Sequence, residues 1–387
     1  MKKILSTLFL SAFLCTAYAT VIDGINYTLD ADNLTAEVNA KTSGYYRGAI
    51  EIPQTVTYQD NEYTVTAIGE KAFRQCSALT SVSLPSTITR IDKFAFAECT
   101  SLTTISLPAG VDFIGDYAFA HSGITHIITS GDMFAYMPES YSGAYTIPDT
   151  IKRICGAAFI GCSRLSSLTI HNQVEYIGYA AFSSCRSLTS IVIPNSVTYL
   201  GEYAFEECMS LTDVKLPDNL DTIRYCAFYQ CASLPSVDIP ASVRNVGRYA
   251  FCYCPSLVTV KSFATNPPQC GEYAFDQIGA NPTLFVPHGC SSSYRSAAEW
   301  KNFAPRIYEM GGAAVGDAVN RGVQVFGSCG HIMIEGAEGE SLAVYSADGK
   351  MVGSVDHAAT VQKIDIPGSG VYFIRLANGE TKRVVVK

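Results

Sequence analysis

Apolar positions recur along the middle of the chain with a period of 23 residues. Ala-Phe pairs end at Phe73, Phe96, Phe119, Phe159, Phe182, Phe205, Phe228, Phe251 and Phe275, and the successive gaps are 23, 23, 40, 23, 23, 23, 23 and 24. Three residues after the Phe comes Cys, at Cys76, Cys99, Cys162, Cys185, Cys208, Cys231 and Cys254. Six after it comes Leu, as at Leu79, Leu188 and Leu234, followed by an apolar-x-apolar pair such as Val82/Leu84 or Ile191/Ile193. Proline closes this stretch at Pro85, Pro108, Pro194, Pro217 and Pro240, and an aliphatic residue stands five before each Phe but the last, from Ile68 to Val246. Such self-similarity at a fixed period is the mark of a repeat architecture.

One 23-residue unit carries too few apolar side chains to close a core of its own. Stacked units put like side chains in columns, and each unit buries its neighbour's face. The Leu-x-x-Val-x-Leu stretch alternates with period two and predicts one short strand per unit. The following proline, which cannot donate to a ladder, ends that strand. The predicted fold class is therefore a repeat solenoid, mainly β with short turns and helical pieces.

The consensus Leu-x-x-Ile-x-Ile-Pro-x-x-Val-x-x-Ile-Gly-x-x-Ala-Phe-x-x-Cys resembles the BspA-type leucine-rich repeats of bacterial surface proteins, over about residues 63–275. The resemblance implies a right-handed, curved repeat stack with a binding or adhesive role. Departures stand at Asp92 and Arg224 in place of Gly, Ser122 and Ile278 in place of Cys, and His171 in place of Pro.

The array is expected over 63–262, with an interruption near 130–146 where the gap widens to 40. Tyr141-Ser142-Gly143-Ala144-Tyr145-Thr146-Ile147-Pro148 repeats the pattern of Tyr46-Arg47-Gly48-Ala49-Ile50-Glu51-Ile52-Pro53, and both lead into repeats. The array is thus expected to restart on the same opening segment. Phe134, Tyr136 and Tyr141 there are either part of this splice or an exposed aromatic contact site. Residues 20–62, with a hairpin turn at Asp30-Ala31-Asp32-Asn33, are expected to cap the first rung; a calcium loop would need more acidic ligands and a later Glu. Residues 263–310 are expected to cap the last rung, with helical apolar spacing over Tyr294–Phe303. A linker is expected at 311–321 and a small all-β sandwich at 322–387, whose turn signals include Asp348-Gly349 and Asn378-Gly379. The ending from Gly370 to Lys387 resembles a type IX secretion sorting domain of Bacteroidetes, which implies export across an outer membrane.

Lys2-Lys3, the apolar run Ile4 to Cys15 and Ala17-Tyr18-Ala19 follow the order of a secretory signal, expected to span 1–19. The run is shorter than the ~20 residues a bilayer requires. The expected location is secreted or on the cell surface. Charged residues make up 16% of the chain, which excludes a disordered or coiled-coil protein. The net charge of −8 without a basic patch argues against a nucleic-acid partner.

The chain has 14 cysteines, seven of them in the repeat column. Their period points to inward packing as thiols, although export and rung spacing also allow ladder disulfides, and Cys270 with Cys290 is a separate candidate pair. Cys252-x-Cys254 lacks metal-ligand spacing and a partner pair, so no metal or cofactor is expected. Neither G-x-S-x-G nor H-E-x-x-H occurs. A Cys162–His171 dyad is the one conceivable catalytic arrangement, and Cys162 is a column residue. What remains is the outward position of each strand, at Ser83, Ser106, Ile128, Thr169, Val192, Lys215, Asp238 and Lys261. It reads either as a merely solvated face or as a recognition surface for a host or bacterial protein or glycan. The functional expectation is a non-catalytic, adhesin-like binding protein; a structural spacer of the cell surface and an exported hydrolase are the alternatives.

Overall fold

The computed structural model describes residues 17–310, 324–328, 331–335, 341–356, 358, 361–368, 370–376 and 381–386. The fold is a β-solenoid with almost no helix, followed by an all-β domain. Two units make it up. One holds the chain up to Leu211 together with Cys226–Cys231, and the other holds Thr212–Tyr225 and everything from Ala232 onward.

In the first unit an antiparallel set, Ala17–Ile22, Ile25–Asp30 and Thr35–Asn39, leads into the parallel ladder at Asn61–Ile68. Ala17-Tyr18-Ala19 lies in the first of these strands; the rest of the expected signal falls outside the described residues. Asp30 makes the hairpin turn, its Oδ1 accepting from the Asp32 and Asn33 amides at 3.0 and 3.2 Å. The repeats then stack Phe upon Phe. Phe73–Phe96, Phe96–Phe119, Phe182–Phe205 and Phe205–Phe228 lie 5.1–5.7 Å apart and within 15° of parallel. In the second unit Phe251 and Phe275 stack at 5.4 Å.

Most repeats carry two strands rather than the single one expected; the repeat of Leu102 lacks the one after its Leu. Besides the strand after the Leu, a two-residue strand ends on the aliphatic residue five before the Phe, as at Arg90–Ile91, Tyr176–Ile177 and Asn245–Val246. A third line of hydrogen bonds runs through the Phe turn. The amides at Phe−2, Phe and Phe+2 donate forward to the next rung, as with Lys71 to Lys93 O, Phe73 to Ala95 O and Gln75 to Ala97 O at 2.8–3.0 Å. To aim alternate amides the same way, the residues at Phe−2 and Phe+2 adopt positive φ. Phe94, Tyr117, Tyr203 and Tyr249 do so at the first position, and Glu98, Ser184 and Glu207 at the second. A left-handed residue other than Gly costs about 1–2 kcal/mol, and the forward hydrogen bond offsets about 1 kcal/mol of that.

Two segments open runs of repeats with the same geometry. Gly48–Glu51 pairs in parallel with Leu79–Ser83, and Ser142–Thr146 with Arg164–Thr169. Both ladders have a bulge directly after the glycine, and both glycines, Gly48 and Gly143, have positive φ. The intervening hairpin, Ile128–Ser130 with Met133–Tyr136, supplies Phe134, which stacks on Phe159 at 4.7 Å.

The expected helix over Tyr294–Phe303 is instead two short pieces, α-helix Ser291–Ser296 and 3-10 helix Trp300–Phe303, separated at Glu299 with positive φ. They close the Phe column. Trp300 and Phe303 lie 5.1 and 5.3 Å from Phe275, and the Trp300 indole donates to Pro268 O at 2.7 Å. The expected linker at 311–321 lies outside the described residues. The tail forms two sheets, one from Gln324–Ser328, His331–Glu335 and Val361–Asp365, the other from Leu342–Ser346, Met351–Val355, Gly370–Leu376 and Thr381–Val386. Ile332, Ile334, Val344, Ile374 and Val386 fill one core between them.

Candidate recognition surface

In the strand after each Leu, Val or Ile turns inward and the next residue outward, because successive side chains alternate faces. Val82, Leu168 and Ile191 are buried, and their successors Ser83, Thr169 and Val192 are exposed. Ser106 is likewise exposed, which gives the first unit three hydroxyl positions and Val192, 56% exposed. In the second unit Val214, Val237 and Val260 are buried while Lys215 and Asp238 are exposed and Lys261 is half-buried. Asp238 and Lys261 stand side by side in a parallel register, opposite charges on neighbouring rungs.

Three expected surface residues, Phe134, Tyr136 and Ile128, are buried. Phe134 and Tyr136 are buried, so they are corrected from an exposed contact to packing residues; the inserted hairpin completes the column that the missing repeat would have filled. Tyr141 is half-buried and its hydroxyl donates to Ala144 O at 2.7 Å, which fixes the restart turn. Ile128 is buried as well, since the hairpin pairing with Tyr136 turns it inward.

The column cysteines are buried thiols, and the structure gives a reason for that residue type. The thiols of Cys99, Cys185, Cys208 and Cys231 donate to the carbonyl of the preceding rung's Phe at 2.9–3.3 Å. Burial pushes Cys99, Cys162 and Cys208 up to about 12. Cys270 and Cys290 are free thiols, so the pairing considered for them is not formed. Cys162 donates to Met137 O and Pro138 O, while His171 Nε2 engages Pro148 O at 2.9 Å and Nδ1 accepts from the Gln173 amide. Each has its own partners, and a thiol held near 12 is a poor nucleophile at neutral pH.

The sequence reading missed a second outward column, on the two-residue strands. In the first unit it runs Arg90, Phe113, Arg153, Tyr176, Tyr199, and the last two rings stack at 4.7 Å and 9°. Arg90 bridges Glu37 and Asp92 at the start of this column. The residue immediately before each unit's aliphatic residue was the available signal. It is apolar at Phe113 and partly apolar at the tyrosines, so it does not stand out from the core pattern.

Residues 66–147 and 130–258 match the BspA type leucine rich repeat region in six copies. The repeat region is of the BspA type. The solved structures similar to the chain include a leucine-rich cell surface protein from Faecalibacterium prausnitzii, at 30% identity over 65% of this chain with a TM-score of 0.34. The chain spans 56% of that protein's length. A leucine-rich repeat protein from Bacteroides ovatus is 22% identical over 71% of this chain and 87% of its own, with a TM-score of 0.41. The pneumococcal vaccine antigen PcpA is 14% identical over 77% of this chain and 99% of its own, with a TM-score of 0.43. No curated protein matches the chain.

Proposed function

We propose that this BspA-type repeat chain is an exported, non-catalytic recognition protein that binds surface protein or glycan through the outward positions of its strands. The observation that carries this reading is a contrast between columns. Inward positions repeat the same residue rung after rung, as packing demands, whereas the exposed ones change from Ser83 and Ser106 to Val192 in one unit and from Lys215 to Asp238 in the other. Export is supported by Lys2-Lys3, the apolar run and Ala17-Tyr18-Ala19. The tail's resemblance to a sorting domain supports secretion by the type IX route. An adhesive role follows from display of such a surface outside the cell.

The test is binding of the full chain to arrayed glycans and immobilised surface proteins, repeated with Val192→Asp, Lys215→Glu and Asp238→Lys. The expected result is a saturable partner whose affinity falls roughly fivefold or more in at least one variant. Absence of any saturable partner, or a partner indifferent to all three, refutes the reading.

A further inference from the structure

The ladder of two-residue strands in the first unit is broken once. It runs from Asn61–Ile68 through Arg90–Ile91 to Phe113–Ile114 and stops; a new ladder begins at Met133–Tyr136 and continues through Arg153–Ile154 and Tyr176–Ile177. At intact rungs the carbonyl of the strand's Ile accepts the amide next after the following aliphatic residue. Gly115 donates to Ile91 O, Gly178 to Ile154 O and Gly201 to Ile177 O, at 2.8–2.9 Å. At the break the equivalent amide, that of Cys155, turns to Phe134 O at 2.9 Å. Among the described residues Ile114 O receives no backbone amide in its place.

A cavity of about 260 Å³ opens at this point, bordered by Phe113, Ile114, Asp116, Met133, Arg153 and Tyr176. Its polar groups are under-used. The Asp116 carboxylate is half-buried and accepts no side-chain hydrogen bond among the described residues; lost hydration raises its pKa, with the Lys93 charge acting in the opposite sense. It lies so close to Gly156 that a Cβ there would meet Asp116 Oδ1 at 1.9 Å. Arg153 Nη2 donates to Asp112 O at 3.2 Å, but its buried Nε makes no hydrogen bond, and the facing Asp132 Oδ1 is 3.6 Å away. Phe113, 46% exposed, and the Tyr176 ring supply aromatic surface beside these groups.

The cavity thus sets two acceptors, Ile114 O and the Asp116 carboxylate, against one donor, the Arg153 guanidinium, next to aromatic walls. A metal cation would suit the acceptors but meets the Arg153 charge. A carboxylate would suit Arg153 but meets Asp116. A hydroxyl both donates and accepts, and a compact set of hydroxyls on an apolar ring matches all three groups and the aromatic surface. The volume falls below the roughly 300–1,000 Å³ of sites for drug-sized ligands, so it admits one ring and not a chain. We infer that the break in the ladder is a subsite for a single pyranose ring, free or at the end of a glycan. This goes beyond the strand-face reading, because it uses the other ladder and none of the same residues.

The test is saturation-transfer NMR on the full chain with methyl α-mannoside, methyl β-galactoside and methyl β-N-acetylglucosaminide, with glycerol as the ringless polyol. At least one glycoside should saturate, and its affinity should fall roughly tenfold or more in Asp116→Asn and in Arg153→Met. Tyr176→Phe, which keeps the ring, should still bind. Arg153→Lys replaces Arg153→Met should the latter fail to give a native circular dichroism spectrum, and it too should lose the affinity. A parallel array of immobilised oligosaccharides separates the two sources of the ring. Saturation by free glycosides assigns the ring alone, and binding only to chain ends, lost in the same variants, assigns the glycan terminus; both support the inference. The inference is overturned if neither the glycosides nor the arrayed chain ends bind, if glycerol competes equally well, or if Asp116→Asn and the Arg153 variant bind as the native chain does. The cavity lining shares no residue with the strand face, so a failed strand face and a failed cavity give different results.

Discussion

Gly201→Ala tests how tightly the rungs approach. A Cβ built at Gly201 would lie 2.3 Å from Gly178 O, 2.5 Å from Gly178 C and 2.7 Å from Tyr179 N, and all three are backbone atoms that no rotamer change can move. The rungs are tied together on either side, by the Gly201 amide to Ile177 O at 2.9 Å and by the Phe182–Phe205 stack at 5.1 Å. Relief therefore requires the rungs to part locally, stretching both. Overpacking of this kind costs about 1–3 kcal/mol, against a gain of about 0.4–1 kcal/mol from the stiffer unfolded chain. The sum is a net loss of roughly 1–2 kcal/mol.

The control is Gly110→Ala in the same unit, whose Cβ would meet only Ile88 O and Ser86 O, both at 3.8 Å, an ordinary contact. That change should be neutral or stabilising. Urea unfolding followed by far-ultraviolet circular dichroism gives the comparison. Trp300, the only tryptophan, reports separately on the C-terminal cap by fluorescence. Should Gly201→Ala prove as stable as Gly110→Ala, the close approach of the rungs would not be what demands glycine there.

Phe182→Ala removes a fully buried ring that stacks on Phe205 and packs tilted against Phe159, each at 5.1 Å, and should cost about 3–5 kcal/mol by the same unfolding assay. The buried column thiols keep their protons to about 12, whereas unfolded thiols ionise near 9, so native protein binds more protons in that window. Stability should accordingly fall as pH rises from about 9 toward 12, and Cys208→Ala should flatten that slope in pH-dependent urea titrations. His121 is held above its ordinary pKa chiefly by its hydrogen bond with Glu139 at 2.9 Å, so Glu139→Gln should lower the pKa that NMR titration reads at His121. Val192→Asp alters an exposed position and should leave unfolding within about 0.5 kcal/mol of the native chain.

The period made most of the fold legible, because a solenoid repeats its contacts as it repeats its residues. Phe, Cys and Leu at fixed offsets had to form columns, and Tyr46-x-Gly-Ala and Tyr141-x-Gly-Ala announced two ladders with the same bulge. What stayed hidden is backbone geometry that side-chain type does not encode. Lys71, Phe94, Tyr117, Ala157 and Tyr203 share a left-handed conformation and nothing else. There the forward hydrogen bond, not residue preference, decides the dihedral. The hydroxyls of Thr87, Ser196 and Ser242, which donate to carbonyls 22 residues earlier at 2.6–2.8 Å, likewise looked like ordinary turn residues.

The errors in the surface reading have one physical origin. Extrapolating the period into the widened gap placed Ile128 by analogy with intact repeats, and left Phe134 and Tyr136 open between splice and contact site, but the inserted hairpin pairs antiparallel and turns all three inward. The same insertion leaves Ile114 O without the backbone amide that regular stacking supplies to its equivalents, and Arg153 Nε without a hydrogen bond. A repeat dictates its inward columns so completely that they carry no information about a ligand. Specificity has to come from positions that packing leaves open: the outward strand residues, which are free to vary, and the broken rung, where polar groups are left for another molecule to satisfy. That division predicts a signature in double variants. Val192→Asp, on the strand face, should weaken the surface partner and Asp116→Asn, at the broken rung, should weaken the glycoside, each by the same factor alone and in the double variant. A strong coupling between them would mean that the ladders do not act separately.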